Sequence, residues 1–107
     1  MKTVFRISKA KYSAQAYTGQ GAKNNPGRWN LAGFAMVYTS ENTSLACLET
    51  VSHLMDDFDP TNFVILKALI PLQLIEIVDP NQLPIFWDAD HPGLASQEFG
   101  TEWLLSL

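Results

Sequence analysis

The stretch that most restricts the fold runs from Pro26 to Glu49, where three kinds of local signal follow one another without a gap. Residues 24–27, Asn-Asn-Pro-Gly, form a turn cluster, so Arg28 leaves a tight bend rather than a regular element. Residues 34–39, Phe-Ala-Met-Val-Tyr-Thr, are apolar and β-prone, which predicts a strand carrying Tyr38. Asn42, Thr43 and Ser44 are all good N-caps, and a helix presenting Glu49 is expected after them. Leu45, Leu48, Ser52 and Met55 make one stripe of that helix, thickened by Val51. Glu49 lies beside the stripe, one turn from Leu45 and one turn from His53. A guanidinium, a phenol and a carboxylate thus come from three consecutive elements. That set suits gripping a phosphate, stacking on a flat ring and steadying a developing positive charge. The plain alternative for Glu49 is a solvated helix glutamate.

On either side the signals are simpler. Residues 3–7, Thr-Val-Phe-Arg-Ile, read as a first strand with Arg6 on the opposite face from Phe5. Residues 9–25 are polar and aperiodic and read as a long loop. Residues 56–60, Asp-Asp-Phe-Asp-Pro, break the chain after the helix. Residues 62–69 and 74–78 are strand candidates, and residues 83–92 are loop-like. A helix over 96–107, broken near Gly100, completes an α+β set: a small mixed or antiparallel sheet with flanking helices. Residues 103–107 stay apolar, whereas termini are usually polar and frayed, so the sequence is expected to stop inside a domain.

At 107 residues the chain is read as one domain, without a transmembrane span or a signal peptide. Cys47 is the only cysteine, which excludes an internal disulfide, fits a reducing cytoplasm, and in mid-helix is expected to be a buried thiol. The net charge of -4 conceals a polarised distribution: six Lys and Arg and no acid precede Glu41, and all eleven acids follow against Lys67 alone. A basic opening suits an anionic ligand, or it faces the acidic half. The basic residues are scattered, which argues against nucleic acid as a partner. His91, between Asp88 and Asp90 in a loop, lacks ligand spacing, and no metal is expected.

The motifs Gly27-Arg28-Trp29-Asn30, Gly33, Val37-Tyr38-Thr39-Ser40, Leu45-Ala46-Cys47-Leu48-Glu49 and His53 together resemble the signature of the RES domain, the toxin of RES–Xre toxin–antitoxin pairs. Phe5-Arg6-Ile7 resembles that family's opening strand, and Gly100-Thr101-Glu102-Trp103-Leu104 its Gly-x-x-Trp segment. The family's serine, in a Pro-Ser segment downstream of that tryptophan, has no match here, so a member lacking its C-terminal part is expected.

The resemblance implies an ADP-ribosyltransferase-like fold and an enzyme that destroys NAD⁺ by splitting the nicotinamide–ribose bond, with water or inorganic phosphate as acceptor. Alternatives are an ADP-ribosyltransferase acting on a macromolecule and an inactive binding domain. It implies Arg28, Tyr38 and Glu49 as catalytic residues converging on one pocket. Arg6 would be a second phosphate contact, and Trp29 and His53 lesser contacts to substrate. NAD⁺ would be a substrate, since no Rossmann or Walker sequence is present, and no cofactor is implied. The implied partner is an Xre-family antitoxin, with no membrane and with a homo-oligomer left open.

Overall fold

The alternation of β-branched and polar residues at the start of the chain is realised as strand β1 (Lys2–Lys9), and the apolar run near the middle as β2 (Phe63–Ile70). The computed structural model describes the backbone of residues 1–53 and 62–107, and side chains outside 51–61. The two strands pair antiparallel from Lys2↔Ile70 to Lys9↔Phe63. Val4, Arg6 and Ser8 therefore share a face with Val64, Leu66 and Ala68, whereas Phe5 and Ile7 share the other with Ile65 and Lys67. Val4 is buried on the first face; Ile65 and Leu69 are exposed on the second.

The helices among the described residues are α1 (Gln20–Asn24), α2 (Thr43–His53) and α3 (Leu94–Leu105). Short 3₁₀ turns occupy Ala10–Gln15, Leu72–Leu74 and Pro80–Gln82. The architecture is α+β. None of the described helices is long and apolar enough to cross a membrane.

Contacts sort the chain into two compact units, each assembled from separate stretches: Met1–Ala16 with Tyr38–Glu76, and Tyr17–Val37 with Ile77–Leu107. In the first unit α2 packs against β1. Asn42 caps α2, its Oδ1 accepting from the Leu45 amide at 2.8 Å, a bond of a kind that contributes about 1 kcal/mol. Ala46, not the leucine stripe, is the buried residue of α2; Leu45 and Leu48 are exposed. The second unit has a different centre. Its buried residues are Gly19, Asn30, Ser96, Gly100 and Thr101, so hydrogen bonds and close backbone approach organise it.

Several expectations are corrected here. Residues 34–39 form no strand; the chain passes them irregularly and meets β1 only at the Phe5↔Ser40 bridge, with amide–carbonyl bonds of 2.7 and 2.8 Å. Residues 74–78 form no strand either, because the chain coils into a 3₁₀ turn directly after Pro71. The long loop over 9–25 contains the 3₁₀ turn at Ala10–Gln15 and the five-residue α1. Helix α3 begins at Leu94 and runs unbroken through Gly100. Cys47 is exposed. The predicted break at 56–60, with Val51, Ser52 and Met55 of the predicted stripe, falls outside the described side chains.

Candidate active site

Arg28 owes its position to its neighbour Asn30. The Asn30 side chain is fully buried, and its Oδ1 accepts from the Gly27 amide at 2.9 Å, closing a turn around Arg28 and Trp29. Its Nδ2 donates to the carbonyls of Ala22, Leu31 and Phe34 at 2.8, 3.3 and 3.1 Å. One amide group thus ties α1 to both ends of the arginine loop. A polar group placed at the centre of a small unit is favourable only when saturated in this way.

The Arg28 side chain is half-buried, and its Nη1 donates to the Trp87 carbonyl at 2.7 Å. That bond uses one of five guanidinium donors, so the fork retains capacity for an anion. The Trp29 ring stacks on Trp87 with centroids 5.8 Å apart and meets Phe99 edge-on at 6.1 Å. Trp29 is a packing residue of this unit in the first instance.

In the first unit, Arg6 lies on the covered face of the sheet, opposite Leu66 and one position along that face from the buried Val4. Its Nη1 donates to the Tyr38 carbonyl at 3.0 Å, which steadies the irregular segment carrying the half-buried Tyr38. The Arg6 Nε is buried and has no acceptor among the described residues. A buried donor left without an acceptor costs about 1–3 kcal/mol, more on a charged group, so its presence asks for an anionic or carbonyl partner. Glu49 is exposed on α2, three residues after Ala46 and therefore about 60° around the helix from the buried line. It borders the α2 contact with β1 rather than opposing it. His53 is the last residue of α2, and its side chain lies outside the described set.

Arg6, Tyr38 and Glu49 accordingly belong to the first unit, and Arg28 and Trp29 to the second. No group of three or more His, Cys, Asp or Glu side chains able to hold a metal ion occurs among the described residues; Asp88, Asp90 and His91 are exposed.

The RES domain family matches residues 3–106, a span that contains every one of these positions. The chain belongs to the RES domain family. Among relatives of this RES domain, the "Prs ADP-ribosylating toxin" of Sphingobium is 40% identical over 98 residues, which are 89% of this chain and 61% of that protein. "Toxin Res" of Photorhabdus laumondii is 39% identical over 100 residues, 94% of this chain and 64% of that protein. "Toxin Res" of Yersinia enterocolitica is 35% identical over 103 residues, 96% and 68% respectively. The RES domain described here spans roughly two-thirds of the length of these relatives.

Asn30, Gln97, Gly100 and Thr101 were not singled out for a role in the sequence, although Asn30 stands inside the Gly-Arg-Trp-Asn motif and Gly100 and Thr101 inside the Gly-x-x-Trp motif. Their motif membership was visible. What they touch, up to 70 positions away, was not.

Proposed function

We propose that this RES domain is the NAD⁺-cleaving part of a toxin with an ADP-ribosyltransferase-like fold. The single observation that carries the reading is the family match over residues 3–106, which includes a guanidinium fixed in a built loop. The names of the relatives, two "Toxin Res" and one "Prs ADP-ribosylating toxin", support it, because ADP-ribosylation and NAD⁺ hydrolysis break the same bond.

In the proposed reaction the bond between the nicotinamide nitrogen and ribose C1′ breaks, and its electron pair returns to the pyridine ring. Nicotinamide leaves neutral, so no obligatory general acid is required. The sugar passes through an oxocarbenium-like state, as in glycoside hydrolysis. Glu49 stabilises that charge as it develops, which binds the transition state better than the substrate. Arg28 grips the pyrophosphate through the donors that Trp87 leaves open, and Arg6, with its unpartnered Nε, contributes a second anion contact. Tyr38 stacks against the nicotinamide side, a contact worth roughly 0.5–2 kcal/mol. Water or phosphate then attacks C1′ and loses a proton. The toxin is cytoplasmic in this reading and is restrained by an Xre-family antitoxin, with NAD⁺ as substrate and no cofactor.

Purified protein incubated with NAD⁺ tests the assignment. Glu49→Gln is expected to slow NAD⁺ loss by about 10²–10³, the usual effect of removing one electrostatic group from a transition state. Arg28→Ala is expected to reduce kcat/KM to a similar degree. Wild-type rates in both variants would refute the site. The Sphingobium relative's name favours one other outcome, transfer to a macromolecule. With adenine-labelled NAD⁺, label retained on protein supports transfer, and free ADP-ribose or its phosphate ester supports the leading reading.

A further inference from the structure

Helix α3 meets the arginine loop at three consecutive turn positions, all through backbone atoms of the loop. The Gln97 Nε2 donates to the Gly27 carbonyl at 3.0 Å, immediately before Arg28. Gly100 lies against the Trp29 backbone, immediately after Arg28; a Cβ there would fall on the Trp29 carbonyl oxygen and 2.7 Å from its carbonyl carbon. The Thr101 Oγ1 accepts from the Leu31 amide at 2.9 Å, and Thr101 is only 3% exposed. Residues 97, 100 and 101 recur at i, i+3 and i+4, so they share one face of α3.

We infer that this face of α3 is a template that aims Arg28, with Gln97, Gly100 and Thr101 as positioning residues for the guanidinium. The inference rests on the proposed role of Arg28 in gripping the substrate's pyrophosphate. The physical basis is that the loop has no regular structure of its own to fix Arg28. Asn30 saturates the loop from within, and α3 supplies the external reference on both sides of the arginine. A side chain cannot keep a bidentate geometry if its backbone turns by some tens of degrees, because the fork is rigid and planar. Side-chain bonds to backbone atoms also make the template indifferent to what loop side chains do.

Because Arg28 binds a group that does not react, loosening it removes binding shared by ground and transition states. Thr101→Val keeps shape and removes the acceptor; Thr101→Ser keeps the hydroxyl. Gln97→Leu frees the half-buried Gly27 carbonyl, which water can serve, and so leaves a folded alternative should the valine variant fail to fold. Two readouts are taken on the same protein: steady-state NAD⁺ turnover, and amide hydrogen exchange at Gly27 to Leu31. The expected result is faster exchange at Leu31, a KM for NAD⁺ raised about tenfold with kcat within twofold, and recovery of both in Thr101→Ser. Gln97→Leu should raise KM severalfold in the same pattern.

Unchanged exchange in Thr101→Val and Gln97→Leu would show that α3 does not hold the loop. Faster exchange with unchanged KM would show that it holds the loop without aiming Arg28. Loss of kcat at constant KM would equally overturn the positioning role. A wild-type protein that consumes no NAD⁺ refutes the enzymatic reading instead, and the exchange data then decide the template by themselves.

Discussion

Gly100→Ala should destabilise the protein strongly, against the intrinsic preference of a helix interior. In an unconstrained helix the change from glycine to alanine stabilises by about 1 kcal/mol. At Gly100 the added methyl would lie on the Trp29 carbonyl, 2.7 Å from its carbonyl carbon and 2.8 Å from its Cβ. The obstructing atoms are mainly backbone, and that backbone is pinned by Asn30 on one side and Thr101 on the other. Relief therefore requires helix and loop to separate by about an ångström. Overpacking of this sort costs about 1–3 kcal/mol. Separation also strains the Leu31–Thr101 bond, about 0.5–1.5 kcal/mol, and the Trp29 contacts with Trp87 and Phe99, about 0.5–1.5 kcal/mol each. After the propensity gain is subtracted, the net loss is about 2–4 kcal/mol. For a domain of this size that lowers Tm by roughly 10–25 °C. Thermal unfolding followed by tryptophan fluorescence reads both the midpoint and the environment of the Trp29 cluster. A variant as stable as wild type, or more stable, would refute the close approach of α3 to the arginine loop.

Arg6→Met should leave the urea midpoint unchanged or raised, since an ion on a sheet's covered face with an unpartnered Nε is replaced by an apolar chain of similar length. The same variant should raise KM for NAD⁺ at least fivefold; a destabilised protein with unaltered KM would make Arg6 purely structural. Leu48→Gln should change stability by less than about 0.5 kcal/mol, because Leu48 is 66% exposed, whereas Ala46→Leu should destabilise by about 1–3 kcal/mol. Chemical denaturation of the pair checks this, and the reverse ranking would restore the leucine stripe as the buried side of α2.

What the sequence made legible follows from which signals are local. Both strands were readable from β-branched runs, and β2 is displaced by a single residue from the expected 62–69. The start of α2 was readable because Asn42 carries its own acceptor. The buried side of α2 was not: four leucines and methionines at helical spacing outweigh one alanine in any periodic count, yet the small Ala46 is what lets α2 approach β1. Residues 34–39 have β propensity without a ladder, since propensity reports a half-buried surface and says nothing about whether an edge offers partners. The 3₁₀ turn and α1 within 10–24 are too short to show any period. Gly100 reads as a helix breaker until the Trp29 backbone is seen beside it. For the candidate site, Arg28 and Glu49 could be named from residue type and setting, and Arg6 emerges as more than a surface cation only once the register puts it across from Leu66. The supports of Arg28 could not be named, because hydrogen bonds across 70 positions leave no local trace.

The interleaving of the two units has a consequence for biosynthesis. Ribosomes deliver about 5–20 residues per second, so the segment around Gly27 emerges about 4–14 s before Gln97 and Thr101 do. Throughout that interval the nascent polypeptide carries its key cation on an unbraced segment. Whatever reactivity the guanidinium supports is withheld until translation has passed α3, which makes a half-made toxin a harmless one.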